Sequence, residues 1–260
     1  MIRSLDEVPP FEQLALVDMS HSRLDTYLMC PAKYFYTYVE KLPRTFAPAA
    51  AMGNIIHGVL EEADEDLQLT ELLMLMEEQR SKYDPDHQIA PTLIKSGFQI
   101  LIDYVDRHRD ERPEVLGRET EFLIVVGSAL ILGYIDRIER RRDGRVQVMD
   151  YKSGAWEDRG AAVNNLQLGL YALVASRMWD SPGGVYSELY YLRSGNRKGH
   201  FFTPEDLVTV EARLTEIMDT ILEDRHFHPT NNSRICTRMC DFGKSGACRV
   251  GAARVAGASF

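Results

Sequence analysis

The feature that most constrains the fold is a pair of β-patterned segments, residues 133–139 and 148–154, separated by a short basic loop. Gly144 suits a three-residue connection over residues 142–144, because such loops favour glycine where the backbone is left-handed. Counting back from this loop places Asp136 directly opposite Asp150, with Lys152 two residues further along. The segments therefore predict an antiparallel hairpin that brings two carboxylates and a lysine together on one face.

The alternation of side chains along the hairpin predicts one apolar face and one solvated face. The apolar face comprises Leu130, Leu132, Tyr134, Asp136, Ile138, Val146, Val148, Asp150 and Lys152, and the solvated face ends in Arg137, Glu139, Arg145 and Gln147. A two-residue Asp-Gly turn is the competing choice. It would slip the register by one residue and separate the two aspartates, so the hydrophobic pattern favours the longer loop.

Two half-buried carboxylates side by side repel each other unless a cation lies between them. Carboxylate oxygens are the ligands that a hard divalent ion, Mg²⁺ or Mn²⁺, prefers. Lys152 could then position an attacking water or neutralise charge that grows on a phosphoryl oxygen. The competing interpretation is a surface Asp-x-Lys pattern beside an unrelated aspartate, since short motifs of this kind occur by chance.

Composition sets bounds on the class of protein. A chain of 260 residues, 45% hydrophobic and 27% charged, can form one large domain or two small ones with a substantial core. The chain start lacks an apolar signal core, and no run reaches the length of a membrane-spanning helix, so we expect a cytoplasmic protein with no membrane contact and reduced thiols. A net charge of −9 argues against a surface coated in nucleic-acid-binding groups but leaves room for a local basic groove.

Hydrophobic periodicity predicts an order of helices and strands. Helices are predicted at 20–39 with a break at Pro31, and at 53–82, 91–109, 162–179 and 204–224. Strands are predicted at 119–126, in the hairpin and at 185–192, with a short partner at 200–203. Periodicity is lost beyond Pro229, and the small-residue tail after Cys248 is expected to fray. Helices around a central group of mostly antiparallel strands predict an α/β domain.

Other side chains could complete a site near the hairpin acids. His57 lies on a predicted helix and could give a metal a neutral imidazole, which would make Mn²⁺ more acceptable. Gln167 and Tyr171 stand four residues apart on one helical face and could contact a phosphate or a water. Glu119 or Glu121 could also point at the metal. Taken alone, His57 is more often a satisfied surface or core histidine, and Gln167 and Tyr171 fit an amphipathic helix with a partly buried tyrosine better. An exposed strand face explains the glutamates equally well.

The chain has four cysteines, of which Cys236, Cys240 and Cys248 form a late group and Cys30 stands alone near the start. Four thiolates are the ligand set of an iron–sulfur cluster or a structural zinc. Zinc ribbons favour two Cys-x-x-Cys pairs, and this sequence has none. Unrelated buried thiols remain the alternative.

The ordered motifs resemble those of RecB-like nucleases of the PD-(D/E)XK superfamily, over nearly the whole chain. The opening pattern resembles the start of these nucleases and comprises Ser20, Ser22, Leu24, Tyr27, Cys30, Pro31 and Tyr34. The successive motifs are Gly53-x-x-x-His57, Gly133-x-x-Asp136, Asp150-x-Lys152-x-Gly154 and Gln167-x-x-x-Tyr171. The late cysteines resemble the iron–sulfur branch, which includes the CRISPR-associated RecB-like exonucleases and the nuclease domain of AddB. Many relatives have Cys-x-x-Cys and a shorter gap before the last cysteine, so this chain departs from the pattern there.

The resemblance implies a restriction-endonuclease-like core, with a mixed, largely antiparallel sheet flanked by helices, and a helical, cysteine-rich iron–sulfur cap. It implies one nuclease domain over 1–260, with a catalytic core at 53–228 and a cap formed by 20–52 and 229–248. The implied ligands of Mg²⁺ or Mn²⁺ are His57, Asp136, Asp150 and the backbone carbonyl of Tyr151. Lys152, Asp136, Asp150, Gln167 and Tyr171 are the implied catalytic residues, with Lys152 placing the water. Cys30, Cys236, Cys240 and Cys248 would hold a four-iron four-sulfur (4Fe-4S) cluster, with zinc the alternative.

We therefore expect a metal-dependent DNA exonuclease that acts on single-stranded ends, in the 5′-to-3′ direction, with an endonuclease activity also conceivable. A sequence without a helicase phosphate loop implies that any unwinding comes from a helicase or a recombination or CRISPR partner protein. A non-catalytic DNA-binding or adaptor protein is the first alternative, although it would have no need to keep Asp136, Asp150 and Lys152. A zinc-stabilised interaction module is the second, and it leaves the hairpin acids without a purpose.

Overall fold

A six-stranded mixed sheet is the framework of the fold in a computed structural model that describes residues 16–63, 68–110, 113–156 and 160–257. The strands are β1 (Leu16–Met19), β2 (Glu114–Val126), β3 (Ala129–Arg140), β4 (Val146–Lys152), β5 (Val185–Tyr191) and β6 (Asn196–Phe202). Their order is β1-β3-β4-β5-β6, and β2 pairs with β3. β1 is parallel to β3 and β4 to β5, whereas β3–β4 and β5–β6 are antiparallel. A mixed sheet with flanking helices confirms the predicted fold class.

Helices lie before, within and after the run of strands. The α-helices are α1 (His21–Met29), α2 (Pro31–Tyr34), α3 (Pro48–Glu62), α4 (Leu69–Tyr83), α5 (Pro91–His108), α6 (Leu166–Met178), α7 (Pro204–Glu223), α8 (Asp241–Lys244) and α9 (Arg249–Val255). Shorter turns are π-helical at Phe35–Val39 and Ile235–Met239 and 3₁₀ at Ala162–Asn164. Proline at the first position starts α2, α3, α5 and α7, where its missing N–H has no intrahelical partner to lose. No helix in the described ranges combines the length and apolarity needed to cross a bilayer.

The described residues fall into two units. The larger unit comprises Ala47–Phe122 and Tyr134–Glu211, and the smaller unit comprises 16–46, Leu123–Gly133 and 212–257. In the larger unit, α3, α4 and α5 share one apolar cluster with Tyr151 and Tyr190 of the sheet. Helix α6 packs against β4, β5 and β6. The predicted division into a core at 53–228 and a cap at 20–52 and 229–248 stays a prediction.

The hairpin has the predicted register. Strands β3 and β4 pair Arg137 with Met149 and Ile138 with Val148, and the same register sets Asp136 opposite Asp150. The loop closes through the Arg141 N–H, which donates to the Arg145 carbonyl at 2.8 Å. Gly144 has a φ of +81°, the left-handed conformation for which the three-residue loop requires glycine. Loop chemistry was therefore sufficient to position the two aspartates.

The expectation that one hairpin face is solvated was wrong for Arg137 and Gln147, whereas Arg145 is exposed as expected. Arg137 and Gln147 are each only 8% exposed, and Met149 and Tyr151 are buried on the same face. The neighbouring α-helices cover Tyr151 there, and Arg137 is neutralised by Glu139 at 2.6 Å. On the face expected to be apolar, Tyr134 is exposed. Sequence alternation separates the two faces of a strand, but tertiary packing decides whether the more polar face meets water.

Most predicted elements occur within a few residues of their expected ends. The helix expected at 53–82 is instead two helices, α3 and α4, and further differences lie late in the chain. The partner strand expected at 200–203 is the full strand β6, and β2 begins five residues before the predicted Glu119. The tail expected to fray after Cys248 forms α9. Its N-cap is the Cys248 side chain, which accepts a hydrogen bond from the Gly251 N–H at 3.3 Å. This sulfur contact gives the small-residue segment a fixed beginning that periodicity alone does not show.

Candidate active site

Three potential metal ligands of the larger unit converge on one point. The donor atoms of His57, Glu119 and Asp136 all lie within 4.8 Å of one another. His57 Nδ1 is 3.3 Å from Asp136 Oδ1 and 3.7 Å from Glu119 Oε1. One imidazole with two carboxylates is a donor set that suits Mn²⁺ and, through its oxygens, Mg²⁺. The residues present therefore fit a divalent cation.

His57 reaches this point because α3 passes close to the end of β4. Gly53 lies one turn before His57, and a Cβ atom there would be 3.3 Å from Ser153 Oγ. That separation is tight for a side-chain atom, so glycine lets the helix backbone approach the strand. The predicted Gly53-x-x-x-His57 pattern thus has a packing basis.

Glu119 points to the same place from a strained backbone. Its φ is +39°, in the left-handed region that a side-chain Cβ disfavours, in the middle of β2. Such conformations persist where the surrounding structure enforces them, and they concentrate at functional sites. From sequence, Glu119 is only an open alternative, because nothing in a strand pattern signals a positive φ at a glutamate.

Asp136 is buried on β3 and is held by the neighbouring strand. Its Oδ2 accepts a hydrogen bond from the Tyr151 N–H at 2.6 Å, and Oδ1 faces His57. This hydrogen bond fixes the Asp136 carboxylate at the end of the backbone pairing between β3 and β4. The Tyr151 ring itself lies on the opposite face, with its hydroxyl 2.9 Å from that of Tyr104.

Asp150 takes part in a second, adjoining network. Its Oδ2 lies 2.6 Å from Lys152 Nζ, and Gln167 Nε2 donates to its Oδ1. Lys152 Nζ donates to Gln167 Oε1 at 2.9 Å, and Gln167 Nε2 also donates to Tyr171 Oη at 3.2 Å. The Gln167 amide thus links the carboxylate, the ammonium and the phenol, so four predicted site residues form one connected group.

The pKa values show an excess of negative charge at the site. Burial, followed by the charge of Asp150, raises the pKa of Asp136 to about 6, although His57 opposes this shift. Burial alone would lower the pKa of His57, but hydrogen bonds to Asp136 and Glu119 raise it to about 10. A metal cation would relieve the same repulsion that the histidine proton now relieves.

The structure brings together most of the predicted site residues. His57 and Asp136 meet as expected, and the charge of Asp150 acts on both of them. In the described geometry, however, the oxygens of Asp150 contact Lys152 and Gln167, and Glu119 occupies the third ligand position near His57. The roles of Asp150 and of the Tyr151 carbonyl as metal ligands stay predictions.

The four cysteines are all buried and all belong to the smaller unit. Burial is the main reason why the pKa of the Cys248 thiol is raised, and the Gly251 N–H opposes the shift. The charges of Cys240, Cys30 and Cys236 raise this pKa further, which shows that the four sulfurs lie near one another. Three of them accept hydrogen bonds from nitrogen. The donors are the Thr230 N–H to Cys30 at 3.3 Å, the Gly251 N–H to Cys248 at 3.3 Å and Arg254 Nη1 to Cys236 at 3.4 Å.

Arg254 was missed by sequence reasoning. It lies on α9 in the tail that was expected to fray, and its guanidinium also donates to the Thr230 carbonyl. The late cysteine spacing was the available signal, since a segment that follows a ligand cysteine is a natural source of donors to sulfur.

Comparisons with known proteins identify relatives of this chain. One subunit of the ATP-dependent helicase/deoxyribonuclease of Streptococcus equi subsp. zooepidemicus, strain MGCS10565, is 28% identical over 190 residues, and the protein of strain H70 gives the same values. The match covers 67% of this chain but 18% of the relative, so the chain spans less than a fifth of the length of these proteins. The crystal structure of a candidate exonuclease from Eubacterium rectale superposes with a TM-score of 0.52 at 12% identity. That superposition covers 85% of this chain and 86% of the other, and it supports the fold.

A family model provides the broadest match. The model described as the PD-(D/E)XK nuclease superfamily matches residues 18–248, a span that includes the hairpin, the convergent ligands and all four cysteines. That span is most of the 260 residues of the chain. The chain belongs to the PD-(D/E)XK nuclease superfamily.

Proposed function

We propose that this protein is a Mg²⁺- or Mn²⁺-dependent deoxyribonuclease that hydrolyses phosphodiester bonds at the ends of single-stranded DNA. The observation that carries the proposal is the convergence of His57, Glu119 and Asp136 beside the Asp150–Lys152 pair. Nucleases of this superfamily use divalent metals. The name of the Streptococcus relatives includes "deoxyribonuclease", which agrees with DNA as the substrate.

His57, Glu119, Asp136 and Asp150 would hold the cation, together with the Tyr151 carbonyl. When bound, a divalent ion supplies a more acidic water and offsets charge on the phosphoryl oxygens. Lys152 positions the attacking water, and its ammonium stays protonated because Asp150 raises its pKa against the effect of burial. Gln167 holds Lys152 and Asp150 in a fixed relation, and Tyr171 steadies the Gln167 amide.

Further properties are proposed from the resemblance. We infer exonuclease action with 5′-to-3′ polarity, and a helicase or a recombination or CRISPR protein as partner. The Streptococcus relatives carry both "helicase" and "deoxyribonuclease" in their name, which supports a helicase partner.

A 4Fe-4S cluster held by Cys30, Cys236, Cys240 and Cys248 is part of the proposal. Three N–H donors are directed at the buried sulfurs, and hydrogen bonds to sulfur are a regular feature around iron–sulfur clusters. Iron, sulfide and absorbance near roughly 400 nm test this, and a colourless zinc protein would remove the cluster proposal alone.

The nuclease is tested with end-labelled single- and double-stranded DNA in Mg²⁺, Mn²⁺ or EDTA. We expect cleavage that needs the metal and that Asp150→Asn or Lys152→Met abolishes while the protein remains folded. Matched controls are Asp106→Asn and Lys82→Met, which change the same residue types on α5 and α4. Cleavage at the normal rate in both site variants would refute the assignment, and a folded protein that binds DNA without cutting it in any metal would support the adaptor alternative.

A further inference from the structure

We propose that Tyr134 and Trp156 form a stacking platform that holds two unpaired bases of a DNA strand on either side of the proposed cleavage site. The proposal rests on the nuclease function proposed above. It deepens that function by assigning two residues to the recognition of single strands, neither of which belongs to the metal group or to the Lys152 network.

Exposed aromatic residues are uncommon in this protein and are concentrated near the site. Among the described residues, the exposed large aromatics are Phe46, Tyr134 and Trp156. Two of these three lie beside the strands that carry the candidate ligands. A solvent-exposed ring of this kind is what base stacking requires, since every base presents a π-face.

Tyr134 lies on β3 two residues before Asp136, and therefore about 6.6 Å from it along the same face of the strand. Its ring is 49% exposed. Its hydroxyl donates to Glu121 Oε1 at 3.2 Å, and Glu121 lies two residues beyond Glu119 on β2. This hydrogen bond restrains an exposed ring directly next to two of the convergent ligands.

Trp156 lies on the other side of the catalytic strand. Its ring makes an edge-to-face contact with Tyr191, with centroids 4.9 Å apart and planes at 71°. Tyr191 is the register partner of Lys152 in the β4–β5 pair, so both side chains point to the same face. The edge contact restrains the indole and leaves 37% of Trp156 exposed.

The two rings are thus associated with β3 and β5, which flank β4 in the sheet. Adjacent strands lie about 4.8 Å apart, so β3 and β5 are separated by about 10 Å with Asp150 and Lys152 between them. A strand that crosses this gap could stack a base on each ring while its phosphate lies at the centre. Duplex DNA has its base faces occupied by neighbouring pairs, so the platform selects unpaired DNA.

Tryptophan fluorescence tests the platform without cleavage. The chain has two tryptophans, so Trp179→Phe leaves Trp156 as the sole reporter. In EDTA, we expect a twelve-residue oligothymidylate to quench this signal. An abasic twelve-mer, which offers only sugar and phosphate, and a twelve-base-pair duplex should quench it far less.

Affinities measured with 5′-labelled oligomers complete the test. We expect Trp156→Ala and Tyr134→Ala each to weaken oligothymidylate binding roughly tenfold, as loss of one stacked base would, and to leave abasic binding unchanged. Trp156→Phe and Tyr134→Phe should restore most of the affinity, because each keeps a ring. Tyr186→Ala, an aromatic change at the end of β5 remote from Tyr191, serves as the control.

The failure of each proposal has its own signature. Unaltered oligothymidylate affinity in both alanine variants, or equal quenching by abasic and normal strands, would overturn the platform even if the protein cleaves DNA. A protein that shows base-dependent quenching yet cleaves nothing in Mg²⁺ or Mn²⁺ would retain the platform and lose the nuclease.

Discussion

At the scale of single residues, the sequence predicts most positions of the candidate site but does not assign Glu119. Asp136, Asp150 and Lys152 follow from strand alternation and the loop, since the register leaves little choice of partner. Glu119 could not be assigned, because its direction depends on a φ of +39° that no local pattern encodes. Its placement results from the contacts that surround it in the folded chain.

Glu119→Asn should therefore relieve backbone strain and weaken metal binding. Asparagine tolerates a left-handed backbone better than glutamate does, so in a His57→Gln background, where the ion pair between Glu119 and the His57 imidazolium is absent, we expect unfolding to cost about 1 kcal/mol more. Mn²⁺ binding should weaken about tenfold or more, a loss on the scale caused by removing groups that support a metal. Chemical denaturation and calorimetric titration measure the two effects. Glu121→Asn in the same background is the control, and reduced stability of Glu119→Asn in that background would contradict the strain argument.

The His57 pair predicts how the stability of the metal-free protein depends on pH. Although burial lowers the pKa of His57, the two carboxylates raise it to about 10, against an ordinary value of 6.5. The folded state therefore binds a proton more tightly than the unfolded chain does. This stabilisation is complete below pH 6.5 and is lost as the pH rises toward 10.

In EDTA, the melting temperature should consequently fall between about pH 6.5 and about pH 9.5, and the fall should be smaller in His57→Gln. Thermal melts of both proteins across this range measure the difference. Parallel curves for the two proteins would show that the His57 pair does not contribute.

At the scale of elements, the hairpin was predictable in its pairing and unpredictable in its environment. Loop length and a glycine at residue 144 fix the register locally, through contacts within a few residues. The burial of Tyr151 depends instead on helices that are distant in sequence, and Gln147 is hydrogen-bonded to Glu188 of β5. Local sequence therefore predicts the register of the hairpin. The burial of its second face depends on tertiary packing, which local sequence does not predict.

Gly144→Ala tests the local part of this argument. Its φ of +81° is unfavourable for alanine, and no atom lies within 4 Å of a Cβ there, so backbone strain alone should cost about 1 kcal/mol. Gly154 also has free space around a Cβ but no positive φ, so Gly154→Ala is the matched control for stability. Equal unfolding free energies for the two variants would indicate that the loop does not enforce the register.

At the scale of the whole molecule, cysteines from both ends of the chain meet in the smaller unit. The spacing of the late three predicts a metal group, but the nitrogen donors around the sulfurs come from the folded arrangement. Arg254 is the one charged donor among these three contacts, and hydrogen bonds to sulfur tune and retain iron–sulfur clusters.

Given the proposed cluster, Arg254→Met should lower iron content and speed cluster loss several-fold in the presence of a chelator, although all four cysteines remain. Arg249→Met changes an exposed arginine at the start of the same helix and should have no such effect. Iron per chain and the decay of visible absorbance give the comparison. Indistinguishable decay in the two variants would remove Arg254 from any role at the cluster.

The chain passes between its two units four times within the described residues, after residues 46, 122, 133 and 211. Two of these passages occur inside the continuous strands β2 and β3. No single cut can therefore release either unit as an uninterrupted piece, and a gene fragment that encodes one would lack part of its own sheet. The segments that supply the cysteines and those that supply His57, Asp136 and Asp150 must consequently be expressed and engineered together as one piece.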